Sequence, residues 1–167
     1  MAKITLGGTP VETIGSLPPV GSTAPDFRLT RQDLSDVTLA DFRGKRKIVN
    51  IVPSLDTGVC AASARRFDHD VAALKDTVLL TVSCDLPFAM ERFCKAEGLD
   101  TIISLSQLRD RKFGTDWGVT MTTGPLAGLL SRAVVVLDEN DKGIYIEQVP
   151  EIKKEPDYEK ALAAVTG

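Results

Sequence analysis

The sequence predicts an α/β fold in which a mixed central sheet is flanked by helices, with a small β-hairpin near its N-terminal end. Three observations predict it. β-forming runs alternate with helical patterns between residues 47 and 105, runs at 132–138 and 143–149 are only four residues apart, and β-forming segments at 3–6 and 11–14 flank Gly7-Gly8-Thr9-Pro10. Strands joined through helices pair in parallel and strands joined by short turns pair antiparallel, so the sheet is mixed.

Each element has a local reason. Residues 16–26 contain Pro18, Pro19 and Pro25 and are too proline-rich for regular structure. Residues 47–52 read as a strand ended by Pro53 and a turn-like Ser54-Leu55-Asp56-Thr57-Gly58. A helix follows, with Val59, Ala62, Phe67, Val71 and Leu74 on its apolar face. The unbroken apolar run 77–83 is a strand covered on both faces. Asp85 is placed to N-cap a second helix, with Pro87 in its first turn and Gly98 just past its end. Residues 101–105 form a further strand, 106–117 carry a helical pattern, and a loop surrounds Met121 to Pro125. Strands at 132–138 and 143–149 are joined by Glu139-Asn140-Asp141-Lys142, and Pro156 opens a last helix. Strand, helix, strand, helix, strand, hairpin and closing helix is the order of thioredoxin-like α/β folds.

A length of 167 residues fits one domain spanning 1–167. A chain of that size buries about 70% of its unfolded surface without help from a disulfide scaffold. With 43% hydrophobic and 26% charged residues the composition is that of a globular chain. Twenty Lys and Arg against 23 Asp and Glu leave a net charge of −3 and no cationic surplus for phosphates, so no nucleic-acid partner is expected. The longest apolar run, Ala133 to Leu137, is far short of the ~20 residues of a membrane span, so no membrane partner is expected either. The N-terminal residues lack a secretory apolar stretch, which points to the cytoplasm. Three cysteines, an odd number, leave metal binding, catalysis or core filling as their roles.

Cys60 sits where a strand has ended, a loop has turned and a helix begins. Free N–H groups and the positive end of the helix dipole favour an anion there, and thiolate is the reactive form of cysteine. Thr57, one turn earlier, can direct a hydroxyl at the sulfur or at a bound oxygen atom. Position alone is equally consistent with a small apolar residue on a buried helix face.

The pattern Pro53-x-x-x-Thr57-x-x-Cys60 resembles the active-site motif of the peroxiredoxins. With Ala61-Ala62-Ser63 following and Phe93-Cys94 some 34 residues on, it is similar to their atypical 2-Cys thiol peroxidase subfamily. The likeness continues through Asp33 to Leu39, Gly44 to Lys47, Asp85 to Ala89, Arg132 to Val136 and Glu155 to Tyr158, and so covers nearly the whole chain. It implies a thioredoxin-like fold with Cys60 as the peroxidatic cysteine, oxidised by a hydroperoxide to sulfenic acid. Cys94 would be the resolving cysteine, forming a disulfide that protects the first sulfur, and thioredoxin the electron donor. Pro53 would shield the thiolate, Thr57 would hydrogen-bond the peroxide, and the Cys60 N–H would meet a peroxide oxygen. Arg132 would stabilise the thiolate and the charge developing on the leaving oxygen. The resemblance also implies a homodimer, a leaning towards alkyl or lipid hydroperoxides, and chemistry that needs no metal and no cofactor.

Cys84, at the end of the 77–83 strand, has no part in that motif and reads as a shielded thiol. His69, the single histidine, lies nine residues after Cys60 and reads as solvent-facing. Two other functions use the same residues. Three Cys and one His could bind zinc, though spacings of 24 and 10 residues supply no Cys-x-x-Cys pair. A thioredoxin-fold interaction module with incidental cysteines is the other.

Overall fold

The computed structural model describes residues 2–167. β1 (Lys3–Leu6) and β2 (Thr9–Glu12) make a two-stranded ribbon of their own. The second strand starts two residues earlier than the sequence suggests, because Gly7 and Gly8 alone form the turn. Both have positive φ, 58° and 85°, which suits a two-residue hairpin loop. Pro10 pairs with Thr5, a place where its missing N–H can face away from the partner strand.

The main sheet comprises β3 (Leu29–Thr30), β4 (Asp36–Val37), β5 (Arg46–Ile51), β6 (Thr77–Ser83), β7 (Ile102–Ser106), β8 (Ala133–Leu137) and β9 (Gly143–Gln148). Their order is β4-β3-β7-β6-β5-β8-β9, with β5, β6 and β7 parallel and the rest antiparallel. β3 and β4 were absent from the sequence reading because two residues each are too few to show a period. The parallel strands are joined through α1 (Gly58–Val71) and α2 (Pro87–Glu97), as parallel pairing requires. α3 (Lys112–Asp116) and α4 (Tyr158–Thr166) complete the layers.

Side chains alternate between two cores. Val49, Ile51, Leu80, Val82, Ala133 and Val135 face one that contains Phe113 and Trp117 of the α3 region. Ile48, Leu79, Val134 and Val136 face the other, under Phe67 of α1, Met90 of α2 and Ala161 of α4. Both faces of the sheet are therefore covered, which is why its central strands read as unbroken apolar runs.

Three local expectations need correction. In α1 the buried face is Cys60, Ser63, Ala64, Phe67 and Val71, while Val59 and Ala62 are half-buried and Leu74 lies beyond the helix. Small side chains let the first turns lie close to the sheet, where Asn50 Nδ2 donates to Ser63 Oγ at 3.3 Å. Asp85 does not cap α2, whose N-cap position is Leu86 with Pro87 first in the helix. Its carboxylate is spent elsewhere, as described below. Pro156 does not open α4; it precedes the N-cap, Asp157, whose carboxylate accepts from Lys160 N.

Gly98 does end α2, with φ 67°. Leu99 N donates to Cys94 O at 2.9 Å and Gly98 N to Lys95 O at 3.4 Å, the paired bonds of a Schellman cap. The last turn of α2, which carries Cys94, is thus closed by a residue that other side chains replace only with strain.

Candidate active site

β5 delivers the chain to Val52, whose N–H continues the ladder to Val82 O, and the loop from Pro53 to Thr57 then turns into α1. Asp85 holds that loop. Its carboxylate accepts from Ser54 Oγ (2.7 Å), Leu55 N (2.8 Å) and Ser83 Oγ (2.8 Å), tying the loop to the end of β6. Pro53 is buried within the loop. Thr57 is the N-cap of α1: its Oγ1 accepts from Cys60 N at 3.4 Å and donates to Ser54 O at 3.3 Å. That N–H, expected to meet a peroxide oxygen, therefore already has a long bond to Thr57 that an incoming oxygen can share or replace.

Cys60 is fully buried, and Arg132 Nη1 donates to its Sγ at 3.1 Å. Arg132 leads into β8, whose first residue, Ala133, pairs with Ile51 at the end of β5, and is itself only 2% exposed. Its Nε donates to Ile152 O at 2.7 Å. Among the described residues no carboxylate forms an ion pair with it. A buried guanidinium is costly without an anion, and the group it points at is the Cys60 sulfur. The positive end of α1 faces the same atom.

Sequence reasoning missed the residues that hold Arg132. Gln148 Nε2 donates to Arg132 O at 3.0 Å, and its Oε1 accepts from Ser131 Oγ at 3.2 Å. Glu151 accepts from Gly8 N, Gly7 N, Thr5 Oγ1 and Lys153 N, pinning the β1–β2 turn to the segment that supplies the Ile152 carbonyl. These N–H groups, Lys153 first, hold its carboxyl down at about 2. No signal in the sequence marks a backbone carbonyl or a surface glutamate for such a task.

The other sulfurs lie apart. All three cysteines are free. Cys94 is buried against β7 and the β3–β4 loop, its Sγ 3.4 Å from Gln32 Nε2 and 3.5 Å from Ser104 Oγ. Burial pushes its thiol up, and the Ser104 and Gln32 bonds oppose that. Cys84 is half-buried and accepts from Gln107 Nε2 at 3.2 Å, as a shielded thiol would. His69 is exposed and contacts Asp70 at 3.3 Å. Among the described residues no three His, Cys, Asp or Glu side chains gather as metal ligands would, and no helix is long and apolar enough to cross a membrane.

Two grooves flank the first turn of α1. One, of about 430 Å³, runs between Asp56, Thr57 and Ala61 and the α2 residues Arg92, Phe93 and Ala96. The other is lined by Val59, Ala62, Lys153, Lys154 and Glu155. Leu129 and Leu130 pack in two separate cores, away from these grooves.

Known proteins match this chain over most of its length. The Redoxin family model matches residues 19–162. A thiol peroxidase of Mycobacterium bovis is 53% identical over 165 residues, 99% of each chain. A peroxiredoxin-like protein from Aquifex aeolicus superposes with a TM-score of 0.94 at 32% identity, over 99% of this chain and 96% of the other. A thiol peroxidase from Chromobacterium violaceum shares the fold with a TM-score of 0.91 at 24% identity, over 98% and 95%.

Proposed function

The chain belongs to the redoxin family, as a peroxiredoxin of the thiol peroxidase type, and from that premise we propose that Cys60 is its peroxidatic and Cys94 its resolving cysteine. The observation that carries the reading is the buried Arg132 guanidinium 3.1 Å from a cysteine sulfur at the start of a helix. The Cys60 thiolate attacks the terminal oxygen of a hydroperoxide. An S–O bond forms, the O–O bond breaks, and the alkoxide leaves to take up a proton as alcohol, or as water when the substrate is hydrogen peroxide. Arg132 stabilises the attacking sulfur and the leaving oxygen. Thr57 presents its hydroxyl to the peroxide, and Pro53 walls off the sulfur from water.

The Cys94 thiol then displaces hydroxide from the sulfenic acid, giving a disulfide and water. Thioredoxin returns the two electrons in this reading. Residues 1–167 act as one domain, a view supported by the two cores sharing one sheet. Exposed Leu86 and Phe88 beside the α2 groove offer an apolar patch on which a homodimer can form. The cytoplasm is the compartment in which thioredoxin can serve the enzyme.

The test is hydroperoxide-dependent NADPH consumption through thioredoxin and its reductase. Wild type should turn over and Cys60→Ser should not, because a serine hydroxyl stays protonated and cannot displace an alkoxide. Cys94→Ser should consume one equivalent of peroxide and stop. Wild-type turnover by Cys60→Ser would falsify the assignment.

A further inference from the structure

Cys94 is held by three separate parts of the fold, two of them at its thiol. Gln32 reaches it from the loop between β3 and β4, Ser104 from the middle of β7, and Leu99 N bonds the Cys94 carbonyl from beyond the helix. Ser104 is 2% exposed, and its hydroxyl lies 3.5 Å from the Cys94 sulfur. A buried hydroxyl is costly without a partner, so the contact stabilises both groups only while Cys94 stays where it is.

We propose that Gln32 and Ser104 are positioning residues that retain Cys94 in its pocket and thereby set the rate at which the Cys60 sulfenic acid is resolved. The proposal rests on the reading of Cys94 as the resolving cysteine. Ser104 lies on β7, and Arg132, which holds the Cys60 sulfur, leads into β8. β6 and β5 separate those strands. Three interstrand spacings put the strands that carry these two anchors about 14 Å apart, and both thiols are free, each engaged by its own anchors.

Cys94 must therefore leave its pocket before its sulfur can attack the Cys60 sulfenic sulfur. In that step the S–S bond forms, the S–O bond breaks, and the departing hydroxide combines with the Cys94 proton as water; no further oxidant or reductant takes part. The Gln32 and Ser104 bonds are broken on the way and contribute nothing to the transition state. They lengthen the life of the sulfenic acid, during which a second peroxide can carry it to sulfinic acid.

Rapid mixing with one equivalent of an alkyl hydroperoxide, quenching with a thiol-alkylating agent and mass spectrometry resolves thiol, sulfenic acid and disulfide in time. Gln32→Ala should form the disulfide about three- to tenfold faster than wild type, the worth of one modest hydrogen bond. Its rate of sulfenic acid formation should be unchanged, and its sulfinic fraction in excess peroxide lower. Ser104→Ala should act in the same direction. A general loosening of the fold would move both steps together. Disulfide formation in Gln32→Ala that is unchanged, or slower because the amide activates the thiol in place, overturns the proposal. Cys94→Ser run alongside separates the two readings: if it turns over like wild type, Cys94 is not the resolving cysteine and the premise fails as well.

Discussion

Arg132→Met keeps most of the side chain's length and removes its charge from a position only 2% exposed. Two bonds go with the charge, Nη1 to Cys60 Sγ at 3.1 Å and Nε to Ile152 O at 2.7 Å. The first is, in the proposed mechanism, the electrostatic stabiliser of the reacting sulfur. Removing one such group from an active site costs about 10²–10³ in rate, or about 2.7–4 kcal/mol of the barrier. The second leaves a buried carbonyl without its donor, worth about 1–3 kcal/mol of stability. That loss is offset in part because a desolvated charge is removed as well. The rate effect should therefore exceed the stability effect. The assay is the second-order rate constant with an alkyl hydroperoxide, measured by stopped flow in a Cys94→Ser background that isolates the first step, together with a urea unfolding curve. Arg132→Lys should fall between, because an ammonium keeps the charge but lacks the fork that meets sulfur and carbonyl at once. A folded Arg132→Met protein with an unchanged rate constant would remove Arg132 from the chemistry.

Asp85→Ala releases the Pro53–Thr57 loop from two bonds, to Ser54 and Leu55, and breaks a third to Ser83 of β6. We expect a loss of about 2 kcal/mol in stability and a lower kcat/KM. Asp85→Asn should restore part of both, since its amide oxygen still accepts from Leu55 N; equal kcat/KM in Asp85→Ala and wild type would show that the loop needs no such anchor. Glu151→Gln addresses pH. The Glu151 carboxyl is held at about 2 in the folded protein against 4.5 when unperturbed, so the unfolded chain binds the proton first as acid is added. Its stabilisation is present above pH 4.5 and fades as pH falls toward 2. The stability difference between wild type and Glu151→Gln in urea should hold steady near neutrality and shrink below pH 4.5; a difference that stays constant down to the acid limit contradicts the clamp.

The part of the site that is contiguous in sequence was legible. Pro53, Thr57 and Cys60 fall within one strand-to-helix turn, whereas the N-cap role of Thr57 shows only in the structure. Arg132 was legible through resemblance alone, because an arginine beginning a strand reads, on its own, as a charge reaching solvent. Nothing local reveals that β8 slots in beside β5 and buries it. Asp85 was misplaced because an aspartate two residues before a helix-opening proline looks like a cap, and its real partners, Ser54 and Leu55, are some thirty positions away. The buried face of α1 was misjudged because hydropathy gives little weight to Cys60, Ser63 and Ala64, whose small size brings that helix close to the sheet. Central strands were legible because burial on both faces leaves long apolar runs; β3 and β4 leave none.

The contact between Arg132 and Cys60 spans 72 residues of chain, and this has a consequence for biosynthesis. At about 5–20 residues per second, a ribosome needs about 4–14 s to add that stretch after Cys60 has been made. Throughout that interval the sulfur lacks its guanidinium, and it acquires one only when β8 enters between β5 and β9. Nascent chains, and mature chains in which β8 has come loose, thus carry a Cys60 sulfur without its guanidinium. On the proposed role of Arg132, the chemistry switches on only as the sheet closes.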